Sequence, residues 1–278
     1  MEQINIYSED RIISRIMVSD ACEAHDMQDL MDCLSPYSKV YAVMDLQVVK
    51  KSPFVLNLGV ALQEKGTPMR SIEVSEQAKT IDTVMDICSW LLDKGADRDA
   101  LILAVGGGIT TDMVGFAASI YKRGVRFAYI PTTLLSQVDA AIGGKTGVNF
   151  QKYKNILGVI RQPEFVYICP QVLRSLPHRD FCSGVAEMLK TFIIEDGGNY
   201  RQAVAFLKRY AGSPHDHRHF FRENYAGLMV LVTEAARVKA GVVSRDQFEG
   251  GERRKLNLGH TFAHAIESLS RKDGRDIT

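Results

Sequence analysis

The chain has 278 residues, of which 46% are hydrophobic and 24% charged, the composition of an ordinary globular protein long enough for about two domains. Its formal net charge of +1 removes bulk attraction to nucleic acid or an anionic membrane and leaves only a local basic pocket as a way to hold an anion. No run approaches 18 apolar residues, and the opening MEQINIYSEDRIISR has no apolar signal core, so neither a membrane span nor a secretory leader is expected.

In chain order, Lys39–Asp45 reads as a strand ending on an acidic residue and Met69–Ser75 as a second strand. Thr80–Lys94 has helical spacing, with Ile81, Val84, Met85, Ile87, Cys88, Leu91 and Leu92 on one wide face. Ala100–Val105 is short and wholly apolar, as a strand covered on both faces should be, and it stops at Gly106-Gly107-Gly108. Arg126–Pro131 and Phe165–Cys169 are further strands, and this alternation predicts a mostly parallel sheet flanked by helices. Beyond Pro170 only helical periodicity remains, over Arg179–Ile194, Tyr200–Tyr210, Phe220–Val243 and Arg253–Ser270, broken at Gly212-Ser213-Pro214 and Gly250-Gly251. The expected organisation is an α/β domain over residues 1–174 and an all-α domain over 175–278. Cys22, Cys33, Cys88, Cys169 and Cys182 are scattered, odd in number and never C-x-x-C. That pattern argues against a disulfide framework or a thiolate metal site and points to the reducing cytoplasm.

Gly106-Gly107-Gly108-Ile109-Thr110-Thr111-Asp112 follows a buried strand and opens a helix, where glycines let backbone N–H groups approach a phosphate. It is not G-x-G-x-x-G, and a tight turn that binds nothing is the competing reading. Gly143-Gly144-Lys145-Thr146 imitates the end of a P-loop, but Asp139 stands where that motif needs its first glycine. What remains is a flexible backbone presenting Lys145 beside Asp139, with Lys154-Asn155 ten residues on, a set suited to a polyhydroxylated anion or else a solvated loop. His260 and His264 lie four apart on one helical face, a spacing that can chelate zinc, with Thr261 excluding the H-E-x-x-H motif. Glu187 and Lys190 lie three apart among apolar neighbours, so they are either a surface ion pair or an inward functional pair. His215, His217 and His219 fall in a polar linker and are assigned to solvent.

Six blocks taken together resemble the 3-dehydroquinate synthase family of sugar-phosphate cyclases: GGGITTDMVGFAASIYKRGVRF, IPTTLLSQVDAAIGGKTGVNF, KNILGVIRQP, LPHRDFCSGVAEMLK, RVKAGVVSRD and RRKLNLGHTFAHAIE. They run from about residue 105 to 270 in the family's order, whereas the first hundred residues match only through VMD at 43–45 and EQAK at 76–79. The resemblance implies a Rossmann-like NAD-binding domain, a helical domain and an active site in the cleft between them. The implied substrate is a seven-carbon sugar acid phosphate. Transient oxidation by NAD, loss of phosphate, return of the hydride and an intramolecular aldol step would close the carbocycle. Carried onto this sequence, Asp45, Glu76, Lys79, Gly107, Gly108, Ile109, Asp112, Thr132, Thr133 and Lys154 would hold NAD. Glu187 and His260 would hold zinc or cobalt as a Lewis acid, so that His264 faces substrate instead of metal. Lys145, Asn155, Asn257 and His264 would hold the phosphate, with Arg123 reaching it from the second subunit of a homodimer. Lys190, Lys239 and Arg253 would grip the carboxylate and hydroxyls, with Asp139 near a hydroxyl.

The family's third metal ligand and a further substrate lysine would fall beyond Thr278, so the expectation for residues 1–278 is weak zinc binding and little turnover. The rival readings are another sugar-phosphate cyclase, a polyol dehydrogenase of the glycerol dehydrogenase type, and a non-catalytic remnant that folds and associates with partners.

Overall fold

The computed structural model describes residues 1–19, 27–195, 197–211 and 217–272, without the side chains of 217–219, 264, 267, 268 and 270–272. The chain opens on an antiparallel hairpin, β1 (Glu2–Ser8) and β2 (Arg11–Val18), turned through Glu9 at φ 53. It continues through α1 (Gln28–Leu34), β3 (Val40–Asp45) and α2 (Leu46–Lys51), which is capped by the Asp45 carboxylate accepting from the Gln47 N–H at 2.8 Å. Then come α3 (Pro53–Glu64), capped by Ser52 with proline in its first turn, β4 (Met69–Ile72) and α4 (Ile81–Asp93), capped by Thr80. The remaining strands are β5 (Leu101–Gly106), β6 (Arg126–Pro131), β7 (Lys145–Phe150), β8 (Tyr153–Ile160) and β9 (Phe165–Ile168), with α5 (Gly108–Ile120) between β5 and β6. From there the described chain is helical: α6 (His178–Glu195), α7 (Gly197–Ala211), α8 (His217–Arg245) and α9 (His260–Lys272).

The main sheet has the order β1-β2-β9-β6-β5-β3-β4, all pairs parallel except β1 with β2. Every residue of β5 is buried, which is why an unbroken apolar run was needed there. The chain leaves β3 towards β4 on one side and β5 towards β6 on the other. The carboxyl ends of β3 and β5 therefore flank a switch point, the crevice in which open α/β sheets hold ligands. The helical part is joined to the sheet edge where the Tyr7 N–H donates to Ser244 Oγ at 3.0 Å.

Five expectations need correction. Lys145–Phe150 is not flexible: it pairs antiparallel with β8. The Gly143 and Gly144 before it sit at φ 101 and 72, and a Cβ on Gly143 would lie 2.4 Å from Arg253 Nη2. The helical pattern over Arg253–Ser270 is interrupted, because Glu252–Asn257 is a 3₁₀ turn and Gly259 at φ 84 separates it from α9. The apolar face of α4 is narrower than its spacing suggests: Val84, Ile87 and Leu91 are buried while Met85 and Leu92 are exposed. His217 and His219 belong to α8 and not to a linker, while His215 lies outside the described residues. Met69–Ser75 forms strand only as far as Ile72.

Candidate active site

At the end of β5, Gly107 is the N-cap of α5 and no side chain caps that helix, so its first-turn N–H groups are available to an anion. Packing also demands these glycines. A Cβ on Gly106 would lie 2.3 Å from Thr110 Oγ1, one on Gly107 3.0 Å from Thr133 Cγ2, and one on Gly108 3.1 Å from Ala140 Cβ. Tight packing therefore accounts for Gly106 without any ligand. A ligand is indicated by Thr132, whose Oγ1 is buried without a hydrogen-bond partner just past the end of β6. Across the switch point, Asp45 ends β3, and burial raises its carboxyl against the opposing pull of the Gln47 and Val48 N–H groups. Ile109 lies in the first turn of α5, and Thr133 Oγ1 is 2.8 Å from Ser136 Oγ.

Lys79 connects this region to the neighbouring cleft. It is buried and donates at 2.5 Å to both Asp112 Oδ2 and Asn155 Oδ1. Burial pushes the Asp112 carboxyl up to about 6, with Lys79 pulling the other way. Beside them, Asn149 donates to Glu76 Oε1 at 2.9 Å, and Lys154 Nζ lies 3.9 Å from the same carboxylate.

The cleft is a cavity of about 570 Å³ lined by Asp112, Asp139, Lys145, Asn155, Lys239, Arg253, Asn257 and His260, together with Glu249. Asp139 sits on the turn Ser136–Ala140 and pairs with Lys239 from α8. Burial alone would raise the Asp139 carboxyl, but Lys239 and Lys190, with a smaller pull from His260, hold it below the ordinary carboxylate range. Burial pulls the Lys239 ammonium down, against Asp139. Arg253 is almost wholly buried. Its Nη2 donates to the Gly143 carbonyl at 2.9 Å and its Nη1 to the Gln247 carbonyl at 2.5 Å, and its Nε has no partner. An unsatisfied donor on a cavity-lining cation suits a substrate carboxylate or hydroxyl.

Glu187 pairs with Lys190 on α6, so the i, i+3 ion pair exists, and it is inward because Lys190 is buried. Lys190 and His260 both pull the Asp139 carboxyl down, and His260 lines the cavity whereas Glu187 is not among its lining residues. A carboxylate and an imidazole are donors zinc accepts, and among the described residues no cluster of three potential metal ligands forms. His264 lies on α9, and its side chain is outside the described residues. Arg123 is exposed on the turn Tyr121–Arg123 at φ 68 and does not line the cavity of its own chain. Lys145 does not pair with Asp139; its Nζ lies 2.6 Å from Glu249 Oε2.

Glu249 is the residue that sequence reasoning missed. Its other oxygen accepts from Asn257 Nδ2 at 2.9 Å, so it spans two of the groups expected to hold phosphate. Burial would raise its carboxyl, but Lys145 and Asn257 hold it below its usual range. The available signal was a carboxylate directly before the Gly250-Gly251 break.

Comparison with known proteins places this geometry in a lineage. The sequence matches the 3-dehydroquinate synthase N-terminal family over residues 69–183 and the 3-dehydroquinate synthase C-terminal family over residues 184–275. The chain belongs to the 3-dehydroquinate synthase family. It is 40% identical over 212 residues to 3-dehydroquinate synthase of Geotalea uraniireducens, covering 76% of this chain and 56% of that one. It is 36% identical over 265 residues to pentafunctional AROM polypeptide 1 of Lodderomyces elongisporus, covering 91% of this chain and 17% of that one. The chain thus spans little more than half of the single-function relative. Among solved structures, 2-epi-5-epi-valiolone synthase from Streptomyces hygroscopicus, with NAD+ and Zn2+ bound, superposes with a TM-score of 0.79 at 28% identity, covering 93% of this chain and 69% of that one.

Proposed function

We propose that this protein performs the 3-dehydroquinate synthase reaction in aromatic biosynthesis, converting a seven-carbon sugar acid phosphate to a cyclic dehydroquinate with loss of phosphate. The observation that carries the reading is the convergence of Lys145, Asn155, Lys239, Arg253 and Asn257 with Asp139 and His260 on one cavity, beside a glycine-lined crevice. The cations of the cleft suit a substrate carrying both a carboxylate and a phosphate, and Asp139, kept ionised, suits a hydroxyl donor. The 40% identity to a dehydroquinate synthase against 28% to a valiolone synthase favours dehydroquinate over the related cyclase products.

Asp45, Glu76, Lys79, Gly107, Gly108, Ile109, Asp112, Thr132, Thr133 and Lys154 would hold NAD, the free Thr132 hydroxyl and the uncapped α5 terminus being the groups that fit it. Glu187 and His260 would hold zinc or cobalt. When bound, NAD supplies a hydride acceptor that is regenerated within the cycle, and the metal supplies Lewis acidity at the oxidised carbon's oxygen. The protein's own groups do the rest. Arg253, Lys190 and Lys239 orient the carboxylate and hydroxyls. Lys145 and His264 would meet the charge of the departing phosphate, and Asn155 and Asn257 would hydrogen-bond it. Asp139 fixes one hydroxyl, so a flexible chain is held through several steps in one geometry. Arg123, exposed on its turn, would serve the phosphate pocket of a partner subunit in a homodimer, and the enzyme would work in the cytoplasm. The boundary between an NAD-binding domain ending at 174 and a helical domain starting at 175 is part of the same proposal.

The test is phosphate release from the sugar acid phosphate in the presence of NAD and zinc, read together with absorbance of NADH. Phosphate release without net NADH supports the cyclase. Net NADH with glycerol and no phosphate release would replace it with the polyol dehydrogenase reading.

A further inference from the structure

The register of the β7–β8 pair slips between Val148 and Phe150, where Lys154, Asn155 and Ile156 of β8 bulge opposite Asn149, so Asn149 has no register partner in β8. It bridges instead to Thr80, with its N–H donating to the Lys79 carbonyl at 2.9 Å. Its side chain is fully used in two directions. Nδ2 donates to Glu76 Oε1 at 2.9 Å and to the Glu76 carbonyl at 3.3 Å. Oδ1 accepts from the Asn155 N–H at 2.9 Å. Asn155 stands at φ 52, a left-handed conformation that asparagine tolerates better than most residues, and the Asn149 side-chain Oδ1, accepting from its N–H, fixes it there. Asn155 Oδ1 in turn receives the buried Lys79 ammonium. One side chain thus ties the segment carrying Glu76 and Lys79 to the residue that faces the cleft.

We infer that Asn149 is a positioning residue that couples the nucleotide crevice to the phosphate end of the cleft. The inference rests on the reading above, in which Glu76 and Lys79 serve NAD and Asn155 serves phosphate. Asn149 touches neither ligand. It acts by presenting Asn155 in the one backbone conformation that meets both Lys79 and the cavity. Ordering of the Glu76–Thr80 segment by NAD then orders Asn155 as well, and by linkage phosphate binding favours NAD to the same degree.

The experiment measures NAD affinity, and inorganic phosphate affinity with and without saturating NAD, by isothermal titration on the whole chain. Three sets of proteins are compared, each checked for folding by circular dichroism. In the native protein NAD should tighten phosphate binding by about 5-fold or more, the lower end of ordinary allosteric coupling. In Asn149→Ala that ratio should fall to about one, because the two segments no longer share a side chain. Asn149→Asp keeps the oxygen that accepts from Asn155 but sets a second carboxylate against Glu76. It should bind phosphate alone as the native protein does while losing NAD affinity, a split that a merely structural residue would not produce. An unchanged ratio in Asn149→Ala, equal losses for both ligands in Asn149→Asp, or no coupling in the native protein would each overturn the inference. Lys79→Ala and Asn155→Ala separate the two levels. If they fail to weaken NAD and phosphate respectively, the site reading falls and takes the coupling with it. If they succeed while Asn149→Ala leaves the ratio intact, only the coupling falls.

Discussion

Helices α5 and α9 both begin at glycine-bearing turns that lead into the candidate site, yet they are supported in opposite ways. Thr110, Thr111, Met113, Val114, Gly115, Phe116, Ala117 and Ala118 of α5 are all buried, so the helix is enclosed between the sheet and the β7–β8 pair. On α9, Phe262, Ile266 and Leu269 are 79%, 52% and 62% exposed. The nucleotide crevice is thus built on an element fixed by core packing, whereas His260 stands at the head of a helix whose apolar side chains lie in water. Between them is the cleft, held by buried charge. Variants that separate packing from charge test this contrast.

The largest effect is expected in the charged layer. Asp139→Asn leaves Lys239 buried without its counter-charge, and breaking a buried pair by removing one partner costs about 3–5 kcal/mol. Urea unfolding should register that loss, and adding Lys239→Met should recover part of it. A double variant as unstable as the single one would show that the pair carries no electrostatic load. Next comes Gly115→Ala in α5, whose Cβ would lie 1.9 Å from the Tyr129 hydroxyl and 2.6 Å from Thr146 Cγ2. Overpacking of this kind costs about 1–3 kcal/mol, and Tyr129→Phe should relieve some of it by removing the oxygen. That oxygen is buried without a hydrogen-bond partner, so Tyr129→Phe alone should not destabilise.

The pH dependence of stability divides the same layer. The Asp112 pKa is raised to about 6 in the folded protein, so its contribution is complete below the ordinary carboxylate range and is lost as pH rises through about 6. Asp139 is shifted downwards, so its contribution is present above that range and lost as pH falls. Denaturation of the native protein and of Asp112→Asn between pH 4 and 7 should therefore show the native protein losing stability relative to the variant as pH rises. The opposite slope would mean that Lys79, and not burial, governs Asp112.

The parts of the molecule legible in the sequence are those where one physical rule acts alone. β5 and β6 are apolar because both faces are covered, and α4 ends at capping signals, Thr80 and Lys94, that the periodicity already marked. The β7–β8 pair was illegible because β8 has no buried residue and its half-buried ones, Lys154, Leu157 and Ile160, recur every third position instead of every second, and glycines at 147 and 158 thin the side chains further. Apolar spacing ran through Gly259 because a left-handed glycine leaves no trace in a hydrophobic pattern. Within the site, the charged residues of the cleft were named through the family resemblance. Glu249 and Asn149 work through bonds to the distant Lys145 and Glu76, and no local period announces them.

The smallest effect sharpens the opening contrast most directly. Phe262→Ser removes a large apolar side chain that is 79% exposed, so almost no buried area is lost and no cavity opens. Surface substitutions of this kind stay within about 0.5 kcal/mol. The same exchange at Phe116 in α5, which is 8% exposed, would sacrifice packing on the order of 3–5 kcal/mol. Equilibrium unfolding of both variants measures the ratio directly. If Phe262→Ser proved as costly as its α5 counterpart, the α9 face would be covered in solution, and His260 would be held as firmly as the glycine-lined crevice.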